Sequence, residues 1–248
     1  MVELTEEQLQ KERSAAEFLP WVEGLLQTLG SSPKGKAAVR FRRGLAKQLV
    51  EEALPLGIHA LHHYCSSEEV RLRLVLGNQN HDAVIDDQRS NPSPFSFVEV
   101  TQAHAGEEEH LRMLALEEHG HVNVLGAVRK SGTRATGIHV EVEQVAESHH
   151  VVRSRELERI EAAVHRKGGK KYPEGTALLV VFDDYIAIND SEDLDILRER
   201  LEPMLPDLVQ FSWLSVVGWS KRTFLEFDLT GGSLVTVKHR EKSWSYFG

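Results

Sequence analysis

Apolar and polar residues repeat with a helical period near the N-terminus and with a strand period from about residue 58 onward. Thr5-Glu6-Glu7-Gln8 has the form of a capping box, and the apolar stripe behind it predicts a helix to Gly30 with a kink or break at Pro20. A second helix is predicted over 36–53. Its basic residues recur at spacings of four, three and four, opposite an apolar face, and are Lys36, Arg40, Arg43 and Lys47.

The middle of the chain predicts a β-meander followed by a crossover. Segments 58–64, 70–76, 81–85 and 96–102 are predicted as strands, because apolar residues dominate or alternate in them and polar turns separate them. A helix is predicted over 107–119 and a strand over 121–128. A strand directly after that helix indicates a parallel pair within the sheet. Residues 130–137 are predicted as a basic loop and 138–145 as a strand or extended arm.

The C-terminal half continues the alternation of helices and strands. Helices are predicted over 154–166 and 190–205, and the continuously apolar segment 176–182 predicts a strand buried on both faces. Further strands are predicted over 209–219, 222–229 and 233–239. The whole pattern predicts one main α/β domain over 36–248, with a mixed central sheet flanked by helices and a β-rich C-terminal part. A helical extension over 1–30 precedes it.

Composition narrows the class of protein. The chain has 248 residues, 41% of them hydrophobic and 27% charged, which is typical of a globular protein with a proper core. The single cysteine, Cys65, excludes a disulfide framework and favours a reducing, cytoplasmic location. No signal peptide and no apolar run of about 20 residues are found, so a membrane association is not expected. The net charge of −9 argues against coating nucleic acid by bulk charge, but permits a local basic surface.

Acidic residues converge on the predicted meander. Asp82, or alternatively Asp86, belongs to one strand, and Glu99 belongs to the next. In the strand 96–102, Phe97, Glu99 and Thr101 share one face. Two adjacent strands can therefore bring two carboxylates together on one side of a sheet. Oxygen ligands of this kind suit a hard divalent cation, so Mg²⁺ or Mn²⁺ is the expected metal.

This arrangement resembles the restriction-endonuclease-like PD-(D/E)xK superfamily, in which an Asp is followed, after a short strand-turn-strand, by an acidic-x-Lys triplet. Here Asp82 matches the first acid and Glu99-Val100-Thr101 matches the triplet, with Thr101 in place of the Lys. Superfamily members sometimes move the Lys to the next helix, where Arg112 is the candidate. The resemblance implies metal-dependent cleavage of a phosphodiester, with Gln102 as a further positioning residue and Glu51 as an additional acid from an early helix.

Four other interpretations remain open at this point. The basic stripe of the second helix is either a nucleic-acid contact or a solvated face with a Lys47–Glu51 pair. Asp183–Asp184, at the end of the buried strand, are a rival site, since ligands of open α/β sheets often bind there. His59, His62, His63 and Cys65 suggest a zinc site, although no second ligand cluster at suitable spacing accompanies them. His81-Asp82 is also compatible with a phosphohydrolase of the HD type, although those sites lie on helices.

A catalytically inactive relative of the fold, acting as a binding or regulatory module, is the alternative to the nuclease. The absent motif Lys and the acidic net charge favour it.

Overall fold

The N-terminal helices begin and end where local capping dictates. The structure, a computed structural model, describes residues 4–104, 106–133, 137–188 and 190–231. Thr5 forms the predicted capping box at the start of α1, Glu6–Gln10. The helix then ends at Lys11–Glu12, because the next two residues form strand β1, Arg13–Ser14, which pairs with a later strand. Ser14 also caps the next helix, α2, Ala15–Gly30. Pro20 lies within α2, so the helix does not break at Pro20, and the interruption at residues 11–12 was not predicted.

The predicted helix over 36–53 is wrong as a single unit. It consists of α3, Pro33–Arg40, then a turn, then α4, Leu45–Gln48, and a π-helical turn, Leu49–Ala53. Positive φ angles at Arg42 (52°) and Gly44 (54°) break the helix between α3 and α4, and glycine adopts this conformation without the steric cost of a Cβ. Lys36, Arg40, Arg43 and Lys47 are all exposed, but they do not share one continuous helical face.

The predicted strand over 58–64 is also wrong, because this segment lies in α5, Leu54–His63. Seven residues of α5 are buried, so its sequence is apolar on nearly every side and shows no amphipathic period. A short continuous apolar run does not distinguish a buried helix from a buried strand. The structure therefore places the histidines of this segment on a helix that continues from the π-helical turn.

Within the described residues, the central sheet has seven strands in the order β1-β2-β3-β4-β7-β8-β9. The predicted meander is confirmed: β2, Val70–Leu74, β3, Ala83–Asp87, and β4, Phe97–Ala103, pair antiparallel in sequence order. Beyond β4 the sheet is parallel through β7, Thr176–Phe182, and β8, Trp213–Gly218. Strand β9, Phe224–Asp228, closes it antiparallel to β8. The sheet is thus mixed, as predicted.

A small helix-and-hairpin unit lies between β4 and β7 in the chain. It comprises α6, Gly106–His119, and two strands that pair with each other, β5, Val128–Thr133, and β6, Gly137–Val142. The predicted strand over 121–128 is wrong, since 121–127 form no regular element and β5 begins at Val128. Much of the predicted loop over 130–137 belongs to β5. The hairpin is separate from the central sheet. The predicted crossover through the helix over 107–119 therefore does not produce a parallel pair.

The crossover that produces the parallel pair runs through a different helix. Helix α7, His149–Gly168, lies between β6 and β7, and α8, Ser191–Leu201, follows β7. Asp190 caps α8, and the predicted end of that helix is a 3₁₀ turn, Glu202–Asp207. No helix in the described ranges is both long and apolar enough to cross a bilayer.

Helices cover both faces of the sheet. On one face α2 and α5 pack against Val98, Val100 and Leu179, and Phe18 of α2 is fully buried in this core. On the other face α7 and α8 pack against Leu178, Val180 and Phe182. The first thirty residues were predicted as an extension, and their described part contributes β1 to the sheet and side chains to its core. The strand predicted over 233–239 lies outside the described residues.

Candidate functional site

The meander opens into a fork between β3 and β4. These strands pair only at Ala83–Val98 and Val84–Phe97, and β4 continues to Ala103 without β3 beside it. Asp82 lies at the point where they separate. Its backbone N–H donates to the Val98 carbonyl at 2.8 Å, and its Oδ2 accepts from the Val100 N–H at 2.7 Å. The Asp82 carboxylate is therefore fixed along the free edge of β4, beside Glu99.

Glu99 projects from β4 towards the face that α7 covers. Only 9% of the residue is exposed, and its Oε1 lies 2.5 Å from the Nζ of Lys167, in the last turn of α7. This largely buried ion pair places one cation at the fork. Lys167 was not predicted as a site residue, because only the packing of α7 on β4 brings the two side chains together. Its sequence signal was the basic, glycine-rich run of residues 167–171.

Glu52, from the π-helical turn, is the third acid of the fork. Burial, followed by the charges of Asp82, Glu51 and Glu99, raises the pKa of Glu52 to about 8, while Lys47 opposes the shift. Burial and the Glu99 charge raise the pKa of Asp82 to about 6, opposed by the Val100 N–H and Lys167. Carboxylates interact in this way only when they share a poorly solvated volume. The fork thus carries more negative charge than Lys167 neutralises.

The neighbouring Glu51, predicted as the additional acid, has a different environment. Its carboxylate lies 3.8 Å from Arg42 and 3.9 Å from Lys47, so the predicted Lys47–Glu51 pair is present. The sequence placed Glu51 on the basic face of a regular α-helix. A π-helical turn contains an additional residue, which rotates the following side chains relative to that expectation. The acid that interacts electrostatically with Asp82 and Glu99 is consequently Glu52.

Two polar atoms beside the fork have no hydrogen-bond partner among the described residues. They are the buried hydroxyl of Tyr172 and the buried Nδ1 of His81, whose ring packs against Phe97 with centroids 4.8 Å apart. Burial and the charges of Glu99 and Asp82 raise the pKa of Tyr172 above its usual range, so its hydroxyl remains protonated. Buried polar groups normally have partners. These two buried atoms beside the fork are exceptions to that rule.

The remaining predicted residues lie around the fork or away from it. Thr101 is buried and follows Glu99 on the same face of β4. Gln102 donates from Nε2 to the Glu51 carbonyl at 2.7 Å, which ties β4 to the π-helical turn. Arg112 is directed elsewhere, because its guanidinium donates to the carbonyls of Asn123, Leu125 and Gly126. Asp86, the alternative to Asp82, is exposed near the far end of β3 and accepts from Gln88.

The rival acidic pair at the end of β7 has a structural explanation. Asp184 is fully buried and accepts hydrogen bonds from the Ser220 N–H at 2.8 Å, the Thr223 hydroxyl at 2.7 Å and the Ser220 hydroxyl. These donors come from the turn between β8 and β9. Asp183 is exposed and accepts from the Tyr185 N–H. Asp184 therefore holds the hairpin turn and has its acceptor capacity largely filled.

The histidines of α5 belong to a polar cluster on another part of the sheet. His63 contacts Glu226 and Ser93, while His62 stacks on Phe224 and bonds the Lys221 carbonyl. Nowhere in the described ranges do three or more His, Cys, Asp or Glu side chains form a ready metal-ligand group. At the fork the available metal ligands are carboxylate oxygens with excess negative charge. Such ligands suit Mg²⁺ or Mn²⁺, with water completing the coordination, whereas zinc prefers softer nitrogen and sulfur ligands.

Comparison of this chain with protein-family models, with curated proteins and with solved structures finds no match. The functional interpretation therefore depends on the geometry of the fork.

Proposed function

We propose that this protein is a divalent-metal-dependent phosphodiesterase of the nuclease type, with a restriction-endonuclease-like fold related to the PD-(D/E)xK superfamily. One observation carries the proposal: Asp82, immediately before β3, and Glu99, on the adjacent β4, share the fork with Lys167, which is paired to Glu99. Thr101 occupies the Lys position of the motif. Lys167, from α7, supplies the missing cation at Glu99, as when superfamily members move this residue to a helix.

Asp82 and Glu99 would hold the cation, and the nearby charge of Glu52 would add to the attraction. A bound Mg²⁺ or Mn²⁺ supplies Lewis-acid polarisation of the phosphate and a more acidic water molecule. Lys167 places a positive charge next to Glu99, where a phosphate oxygen would gain negative charge. Gln102 holds the π-helical turn against β4 and so positions Glu52. Tyr172 offers a hydroxyl donor without a competing protein acceptor.

The substrate in this proposal is nucleic acid. Lys47 and Arg42 lie beside Glu51 on the segment that precedes Glu52, so cations border the fork on that side. Exposed Lys170 and Lys171 follow Lys167, and the Lys171 carbonyl accepts from Asn80 in the loop before Asp82. Phosphates of an approaching strand would therefore meet positive charge on both sides of the acidic fork, despite the net negative charge of the chain.

The test is a cleavage assay with the purified protein. Supercoiled plasmid, end-labelled single-stranded DNA and RNA are incubated with Mg²⁺, Mn²⁺ or EDTA. We expect cleavage only with metal, and a decrease of about 10²-fold or more in Asp82→Asn, Glu99→Gln and Lys167→Met, since each removes a charge at the reacting centre. Asp86→Asn is the matched control, because it removes an exposed acid from the same strand. Cleavage that survives Asp82→Asn and Glu99→Gln would refute the proposed site.

The alternative function, an inactive relative of the fold, predicts a different result from the same preparation. Metal binding at the fork without cleavage of any of the three nucleic acids would favour a binding or regulatory module. The specific observation behind this alternative is the 2.5 Å pair between Lys167 and Glu99, which engages an oxygen that a metal would otherwise use. Isothermal titration of Mn²⁺ into the parent protein and into Glu99→Gln shows whether metal binds at the fork, and the cleavage assay on the same preparation then separates the two functions.

A further inference from the structure

A second polar cluster, distinct from the fork, lies where α5 meets the β8–β9 edge of the sheet. His63, on α5, bonds through Nδ1 to Glu226 Oε1 at 2.5 Å and through Nε2 to Ser93 Oγ at 2.9 Å. Ser93 belongs to the connection between β3 and β4, and Glu226 to β9. Three separate elements thus bring a hydroxyl, an imidazole and a carboxylate into one continuous hydrogen-bonded line.

The carboxylate end of this line is buried and held in place. Only 6% of Glu226 is exposed, and its Oε1 also accepts from the Trp213 indole N–H at 3.0 Å and from the Ser215 hydroxyl at 3.3 Å. A carboxylate that accepts from Nδ1 selects the tautomer with the proton on that nitrogen. Nε2 of His63 then presents its lone pair to Ser93, as a general base for that hydroxyl requires.

The imidazole is fixed from its other side by aromatic packing. His59, one helical turn earlier, stacks on His63 with ring centroids 5.0 Å apart and an interplanar angle of 14°. His59 is fully buried, and burial together with the charges of His63 and His62 lowers its pKa well below the ordinary value. His59 is therefore neutral and supports the His63 ring without adding a charge beside it.

The serine end of the line opens to solvent. Ser93 borders a cleft of about 460 Å³ whose walls include Arg89, Asn91, Trp213 and Thr230. Asp87 fixes the loop, because its carboxylate accepts from the Ser93 N–H at 2.9 Å, from the Ser93 hydroxyl at 3.1 Å and from Arg89. General-base catalysis requires the Ser93 hydroxyl to turn from Asp87 to His63 Nε2, which lies 2.9 Å from Ser93 Oγ. Arg89 Nη2 lies 3.1 Å from Ser93 Oγ, so a positive charge adjoins the hydroxyl.

We propose that Ser93, His63 and Glu226 form a second active site, in which Ser93 is a nucleophile towards carboxylic esters. Ser93 Oγ bonds to the ester carbonyl carbon while its proton passes to His63 Nε2. The carbon–oxygen bond to the leaving alcohol then breaks, and the alcohol takes that proton. Water repeats the sequence on the acyl-serine and releases the acid and the free serine. Glu226 orients His63 throughout, and Arg89 is the nearest cation to the oxyanion.

The test uses a fluorophosphonate probe, in which phosphorus bonds to an activated serine oxygen and fluoride leaves. The 248-residue protein is labelled in EDTA, so that the result does not depend on metal chemistry at the fork, and the modified peptide is identified by mass spectrometry. We expect one modified residue, Ser93, and none in heat-denatured protein. An unlabelled parent protein, or a label on another residue, would overturn the proposal without requiring any variant to fold.

Variants then test the line of hydrogen bonds. Ser93→Ala should lose the label, and Glu226→Gln should label at least about tenfold more slowly, because the amide no longer stabilises a protonated His63. Ser90→Ala is the matched control, since it removes an exposed hydroxyl from the same loop and should label at the parental rate. Hydrolysis of p-nitrophenyl acetate should fall in the same order. Equal labelling of Glu226→Gln and the parent would exclude the proposed relay.

Discussion

Two carboxylate groups adjoin strands of the same sheet, Asp184 fully buried and Asp82 partly buried, and they differ in the hydrogen-bond donors that they meet. Asp184, after β7, accepts three hydrogen bonds from the turn between β8 and β9. Asp82, at the fork, accepts one from the Val100 N–H and faces the charges of Glu99 and Glu52. Both acids adjoin apolar strands, and the sequence offered Asp82 as the leading candidate and Asp183–Asp184 as its rival.

The difference shows that donors, and not burial or position in a strand, separate a structural acid from a candidate ligand. A carboxylate whose oxygens are occupied by protein donors has little to offer a cation. Carboxylates that face one another in a poorly solvated volume are destabilised in their charged forms, and a divalent cation would relieve that repulsion. The four predictions that follow test this contrast.

The largest effect is expected from removing the charge of each acid in turn. Asp184→Asn should lower the free energy of unfolding by about 3 kcal/mol, because three donors lose a charged acceptor. Asp82→Asn should change it by less than about 1 kcal/mol at pH 7, since the amide oxygen still accepts from Val100 and a repulsion is removed. Urea unfolding in EDTA measures both values. An equal decrease in the free energy of unfolding of the two variants would show that Asp184 and Asp82 do not differ in this way.

Metal binding should distinguish the two acids almost as strongly. At a hundredfold excess over Kd, Mn²⁺ should stabilise the parent by about 2.7 kcal/mol, because a ligand that binds only the folded state shifts the unfolding equilibrium. Glu99→Gln should lose this gain, whereas Asp184→Asn should retain it despite its lower stability. Thermal melts with and without Mn²⁺ provide the measurement. A gain of the same size in the parent and in Glu99→Gln would indicate binding elsewhere.

The fork should contribute to the pH dependence of stability, together with Glu156 of α7, whose pKa burial raises to about 7. The folded-state pKa values of Asp82 (about 6) and Glu52 (about 8) are raised, so the folded state binds their protons more tightly than the unfolded state does. Their stabilising contribution is complete below about pH 4 and is lost as the pH rises through about 6 and then about 8.

Each unit of pKa shift corresponds to about 1.4 kcal/mol of folding stability. Because Glu52 is partly exposed, the stability lost through its titration is reduced to on the order of 2 kcal/mol. Urea midpoints between pH 5 and 8, without divalent cations, should therefore decline in the parent and decline less steeply in Glu52→Gln, in which Asp82 and Glu156 still titrate. Glu51→Gln is the control and should keep most of the decline, because the Glu51 carboxylate pairs with Arg42 and Lys47. A constant urea midpoint of the parent protein over this range would contradict the raised pKa values of Asp82 and Glu52.

The smallest effect concerns nucleic acid. Alanine at Lys36, Arg40, Arg43 and Lys47 together should reduce the slope of log K against log salt, because fewer phosphates are neutralised by the protein. The reduction should be about 0.9 for each such phosphate on duplex DNA, or about 0.7 on a single strand. Arg222→Ala, next to Ser220 and Asp184, is the control and should leave the slope unchanged. Fluorescence anisotropy in EDTA measures binding without cleavage. An unchanged slope in the fourfold variant would leave these residues as a solvated surface.

Local signals predicted much of the fold. The capping box at Thr5, the alternation in β4 and the unbroken apolar run of β7 each identified an element whose pattern depends on its own residues. The errors occurred where a local pattern had two physical solutions. The apolar segment at residues 58–64 is compatible with a buried helix or a buried strand, and the helix over 36–53 was extended through Gly44. Residues 121–128 were predicted as a strand, but only Val128 belongs to one, β5, which pairs with β6 outside the central sheet.

The residues of the candidate site likewise divide into those that the sequence predicted and those that it did not. Asp82 and Glu99 could be named from the sequence, because the strands of a meander are neighbours in the chain and in space. Lys167 is 68 positions from Glu99, and Glu52 faces the fork only because a π-helical turn changes the direction of its side chain. Ser93, His63 and Glu226 come from three segments far apart in the chain, and no sequence motif joins them.

The sequence by itself determined the mixed α/β class, the meander and the acids at its fork, because short-range periodicity and turn chemistry specify those features. Only the tertiary structure decided which cation meets Glu99, which of Glu51 and Glu52 faces the site, and that Asp184 is satisfied. Those outcomes depend on which donors and charges the packing of α7, the π-helical turn and the β8–β9 turn brings within a few ångströms of each carboxylate.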